Sequence, residues 1–75
     1  MVINTQNKDY NRIKAVLADQ NKTSKWLAEQ LGKSENTVSR WCSNKTQPSI
    51  EILNQISILL NVDIRSLIRS NKEEK

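Results

Sequence analysis

The chain has 75 residues, which is room for one small domain. Its 36% hydrophobic and 27% charged content fits an ordinary soluble domain and excludes a disordered one, and no stretch approaches the roughly 20 apolar residues of a membrane span. Twelve Lys and Arg against eight Asp and Glu leave a net charge of +4, while a single Cys and no His exclude an internal disulfide, a zinc ligand set and histidine acid–base catalysis.

The opening "MVINTQNKDY" lacks the apolar run of a signal peptide, so a cytoplasmic protein is expected. Residues 1–8 read as a flexible segment, 9–70 as the folded domain and 71–75 as a flexible polar tail. Tyr10, Ile13, Val16 and Leu17 form one helical stripe, which predicts a first helix over about Asp9 to Gln20, ended by Asn21. Thr23 or Ser24 can cap a second helix carrying Trp26, Leu27 and Leu31. Gly32 follows its last apolar residue, where a left-handed backbone is wanted.

Ser34 is the natural N-cap of a third helix reaching about Ser43, with Glu35 near its positive end and Val38 and Trp41 on one face. "NKTQPS" reads as a loop, since Pro48 can precede a helix but not interrupt one. Ser49 caps a fourth helix whose wide stripe is Ile52, Leu53, Ile56, Leu59 and Leu60, ended by Asn61. Asp63 caps a short fifth helix with Ile64, Leu67 and Ile68. The expected fold class is all-α, since one glycine and one proline supply too few turns for a many-stranded sheet.

The second and third helices are joined by a very short turn at Gly32, which is the geometry of a helix-turn-helix. Leu27, Ala28, Leu31, Val38 and Trp41 are the expected shared core, with small Ala28 allowing close approach. The pattern of Leu27-Ala28, Leu31-Gly32, Ser34, Val38-Ser39, Trp41, Pro48, Leu60, Val62 and Leu67 resembles the Cro and phage-repressor class of helix-turn-helix regulators, also called the xenobiotic-response-element family. The resemblance covers about Arg12 to Ile68. It implies a compact five-helix, lambda-repressor-like domain that binds operator DNA, usually as a dimer. The chain departs from the family at three places: Ser24 stands where Gln is frequent, Asn44 where Gly is common, and Lys33 where the turn residue is often apolar.

Charge follows the motif. Between Lys22 and Lys45, five bases oppose Glu29 and Glu35, while from Thr46 onward four bases balance four acids. On a groove-reading helix the N-terminal residues and the outward face meet base edges. Glu35, Asn36, Ser39 and Arg40 occupy that face, with Thr37 nearer the buried side. Asn can bond adenine and Arg guanine through two atoms, and Glu can accept from cytosine. The alternative is that Arg40 pairs with Glu35 or Asn36 as solvated surface. Phosphate contacts are expected at Ser24 and Lys25, at Lys33 and Ser34 in the turn, and at Ser43, Asn44, Lys45 and Thr46 beyond the helix.

Trp41 falls at a core position and Trp26 is expected half-buried against the first helix, so neither reads as a base-stacking platform. Cys42 reads as a bystander. Ile58 and Ile68 are left over, and either form a dimer contact or complete the core. No catalytic residue, metal or cofactor is expected, and the chain does not read as an enzyme. The expected function is sequence-specific binding of double-stranded DNA as a transcriptional regulator, probing the major groove as a homodimer on a palindromic site, with no membrane partner. An antitoxin or restriction-modification controller of the same fold, and a protein-interaction module that has lost DNA binding, remain open alternatives.

Overall fold

The computed structural model describes residues 9–70, so the expectations for residues 1–8 and 71–75 lie outside the described residues. Four α-helices follow in chain order: α1 (Ile13–Asp19), α2 (Ser24–Leu31), α3 (Glu35–Cys42) and α4 (Ile50–Leu60). A single 3-10 turn over Ile64–Leu67 closes the domain. The all-α expectation is met among the described residues, but the fifth helix is this one turn, too short to hold an α-helical hydrogen-bond ladder.

The first helix is shorter than its apolar stripe predicts. It starts at Ile13, and residues 9–12 stay outside the helix, with Asn11 in an isolated bridge. Tyr10 therefore leaves the stripe and stands 61% exposed. Asn11 takes the inward position, forming an isolated antiparallel bridge with Ile68. The bridge is flanked by hydrogen bonds from the Arg12 amide to the Leu67 carbonyl (2.8 Å) and from the Arg69 amide to the Tyr10 carbonyl (2.9 Å). Helical propensity over a few polar residues is a weak preference, and pairing with the returning chain outweighs it.

All four helices end in the same way. Asn21, Gly32, Asn44 and Asn61 each adopt a left-handed backbone, with φ of 58°, 67°, 62° and 56°. After each, the next amide reaches back to close the last turn: Lys22 to the Leu17 carbonyl, Lys33 to Ala28, Lys45 to Arg40 and Val62 to Ser57. This is the Schellman arrangement, which satisfies carbonyls that a helix end would leave unpaired. The starts of α2, α3 and α4 are capped by Thr23, Ser34 and Ser49, whose side chains accept from Trp26, Thr37 and Ile52 amides.

The core comprises Ile13, Val16 and Leu17 of α1, Leu27 and Ala28 of α2, Val38 and Trp41 of α3, Leu53, Ile56 and Leu60 of α4, and Leu67. The most extensive helix–helix contact is between α2 and α3, with Ala28 at 3% exposure between them. Nothing lies within 4 Å of where a Gly32 Cβ would stand. Glycine is therefore set there by its positive φ and not by a close approach of the two helices.

Candidate nucleic-acid interface

Helix α3 has two faces of opposite character. Val38 is fully buried and Trp41 is 7% exposed, whereas Glu35, Asn36, Ser39 and Arg40 are all exposed. Thr37 lies between the faces, half-buried, as expected. Burial of two residues a turn apart is enough to hold the helix because α2 covers its inner face. Asn36 and Arg40 stand four residues apart and so project from one side.

Among the described residues Arg40 forms no ion pair; those present join Arg65 to Asp63 and Arg69 to Asp9. Arg40 is thus not ion-paired to Glu35 among the described residues. Its guanidinium stays available to a ligand. Glu35 sits in the first turn, where the helix dipole favours a carboxylate.

Of the residues expected to meet phosphate, Lys25, Lys33, Ser43, Lys45 and Thr46 are exposed, and Ser24 is half-buried at the start of α2. Two others are committed to local structure. The Ser34 hydroxyl accepts from the Thr37 amide (3.1 Å) and donates to the Thr37 hydroxyl (2.9 Å). Asn44, expected at a phosphate, turns inward. Its Nδ2 donates to the Asn11 carbonyl (3.2 Å), and its Oδ1 accepts from the Asn11 amide (3.0 Å) and from Gln47 Nε2 (3.1 Å). An asparagine that already supplies the left-handed residue of the helix end is close enough to pair with the strand-like segment beside it.

Three contributors escape a sequence reading. Lys14 of α1 lines a cleft of about 340 Å³ together with Lys22, Ser24, Ser39 and Ser43, so two lysines of α1 and the turn after it stand beside the start of α2 and the end of α3. Spacing alone places Lys14 on the solvent side of α1 and says nothing of its neighbours. Asn11 is 6% exposed and fully hydrogen-bonded, although its place in the sequence looks like ordinary helix surface. Gln47 joins it from the loop. The one local signal for Asn11 is its position two residues before Ile13, whose amide its Oδ1 accepts at 3.0 Å.

Both tryptophans are wholly or partly withdrawn from the surface. Trp41 belongs to the core, and half-buried Trp26 packs against it with Lys22 Nζ 4.7 Å above the ring. Cys42 is half-buried; burial pushes its thiol above the usual range, and the nearby Lys14 charge offsets this only in part. Ile58 is 69% exposed and lines a shallow groove between α2 and α4 with Gln30, Leu31, Gln55 and Leu59. Ile68, 43% exposed, lies apart from that groove at the Asn11 bridge.

Two helices joined by a left-handed glycine, the second presenting a polar face with an exposed arginine, define a helix-turn-helix protein. The chain belongs to the helix-turn-helix family, in the Cro and phage-repressor class that its motif resembles: the family model matches residues 13–67. It is also similar to a solved protein from Bacteroides fragilis, described as a "putative DNA-binding protein". The two are 63% identical, with a TM-score of 0.79, over 80% of this chain and 97% of that one. No curated protein matches.

Proposed function

We propose that this protein is a sequence-specific regulator that binds double-stranded DNA by placing α3 in the major groove. The observation that carries the reading is the outer face of α3, where exposed Asn36 and Arg40 project together, Arg40 without an ion pair among the described residues. Those two side chains match adenine and guanine edges through paired hydrogen bonds. Ser39, Thr37 and Glu35 complete the base-facing set. Ser24, Lys25, Lys33, Ser43, Lys45 and Thr46 hold the flanking phosphates, and the capped start of α3 at Ser34 fixes the angle of entry. Membership of the helix-turn-helix family and the description of the Bacteroides fragilis relative support the same conclusion.

The active form is a homodimer on a palindromic site, with two copies of α3 in successive major grooves roughly 34 Å apart. The groove of Leu31, Ile58 and Leu59 is the contact surface: it is apolar, and its rim residues Gln30 and Gln55 are uncharged, so two copies can meet without like-charge repulsion. Control of a toxin pair or of a restriction-modification operon would use the same face.

Selection from random duplex DNA tests the reading. An enriched motif with two half-sites is expected, together with affinity that falls steeply as salt rises. If no motif is enriched at moderate salt, the sequence-specific reading fails; binding indifferent to salt would favour the protein-interaction alternative.

A further inference from the structure

The end of α3 is held by an unusual polar latch. Asn11 is 6% exposed, and its Nδ2 donates both to the Trp41 carbonyl (2.9 Å) and to Gln47 Oε1 (2.8 Å). Its Oδ1 accepts from the Ile13 amide, and its backbone amide and carbonyl both pair with the Asn44 side chain. The Trp41 carbonyl also accepts from the Asn44 amide (3.0 Å), as part of the Schellman closure of α3. One side chain thus joins the start of α1, the last turn of α3 and the loop before α4.

A buried amide contributes little net stability over a well-packed apolar group of the same shape. What it adds is direction: three side-chain hydrogen bonds, with two more through the Asn11 backbone, fix the placement of the Nδ2 that meets the Trp41 carbonyl. Arg40 precedes Trp41, and its own carbonyl closes the same turn by accepting from the Lys45 amide (2.9 Å). The roll of that turn about the helix axis sets where the Arg40 guanidinium points. Packing of Val38 and Trp41 is non-directional and leaves that roll softer.

We propose that Asn11 is a positioning residue for base readout: through Trp41, Asn44 and Gln47 it fixes the roll of the last turn of α3 and so aims Arg40 at its base. The role rests on the DNA reading above. The test uses the full chain, the duplex selected by the wild type and a scrambled duplex of equal length. Three variants weaken the latch. Asn11→Asp turns an oxygen toward the Trp41 carbonyl. Asn44→Gly keeps the left-handed residue but deletes both bonds to Asn11. Gln47→Ala removes an exposed partner and should leave folding intact.

The expected result is that the folded variants lose about tenfold in preference for the selected duplex, within the range of one misaligned two-atom base contact. Binding to the scrambled duplex and the salt slope should stay unchanged, since phosphate contacts tolerate a small roll. Combined with Arg40→Ala, a latch variant should cost no further preference, because both act on the same contact. Asn44→Gly or Gln47→Ala that fold and keep full preference overturn the proposal, as do parallel losses on both duplexes or effects that multiply with Arg40→Ala. A wild-type chain that selects no site overturns the DNA reading itself and this role with it.

Discussion

Arg40 and Lys45 are cations at the same end of α3, but they should fail differently. Arg40→Ala should cost about 1–3 kcal/mol on the selected duplex and relax preference at one base position, whereas Lys45→Ala should weaken all duplexes alike and lower the salt slope by about one. A titration of each variant against selected and scrambled DNA separates the two; uniform loss in both assigns Arg40 to phosphate. Cys42 makes a second residue-scale case. It reads as a bystander in the sequence, and burial outweighs the Lys14 charge and holds its pKa above the ordinary value. Alkylation near neutral pH should therefore be slower than for a free cysteine, and should accelerate only as the pH rises past that value. Labelling as fast as that of an unfolded peptide would show that the site opens readily.

Helix boundaries are where the elements were most legible. Asn21, Gly32, Asn44 and Asn61 mark four helix ends in the sequence, and all four adopt the left-handed backbone. The reason is local: an asparagine or glycine tolerates a positive φ whatever lies around it. Open space about Gly32 makes a sharp prediction. Gly32→Ala should cost about 1–2 kcal/mol through φ alone, and Gly32→Asn distinctly less. Equal costs in urea denaturation would mean that something other than φ sets the residue. The closing turn carries a pH signature. Asp63 accepts from the Arg65 side chain and backbone, and these bonds hold its carboxyl below the usual range. A depressed carboxylate pKa contributes stability above its unfolded value, near 4, and loses it as pH falls through the folded value. Asp63→Asn should flatten the stability profile in that acidic window by removing the contribution present at neutral pH, so variant and wild type differ slightly at neutral pH and converge in acid; comparison of melting curves at acidic and neutral pH checks this. The start of α1 was the one boundary misplaced, because Tyr10 and Asn11 satisfy a helical spacing while their partners, Arg69 and Ile68, lie at the far end of the chain.

At the scale of the molecule, Leu67 and the bridge beside it close the domain. Leu67 is fully buried on a single 3-10 turn that packs against α4 and α1. Leu67→Ala should cost about 2–5 kcal/mol, comparable to the whole stability of a small domain, and leave the chain largely unfolded at 37 °C by circular dichroism. Ile58→Glu should behave in the opposite way. Its site is exposed, so monomer stability should change by no more than about 0.5 kcal/mol, while the dimer is lost. Sedimentation of the wild type and variant checks this; an unchanged mass would move the contact to another face.

The sequence by itself determined the class of fold, the two helices of the motif, their caps and the polar face of α3. Each follows from spacing and from residues that act within one turn of the chain. It did not determine the latch, because Asn11 reaches partners 30 to 36 positions away. Nor could it say that Asn44 faces inward, that Lys14 joins the cationic cleft, or that Arg40 stands clear of Glu35. Those are matters of which side chains meet, and only the packing of α1 against the end of α3 brings them within reach.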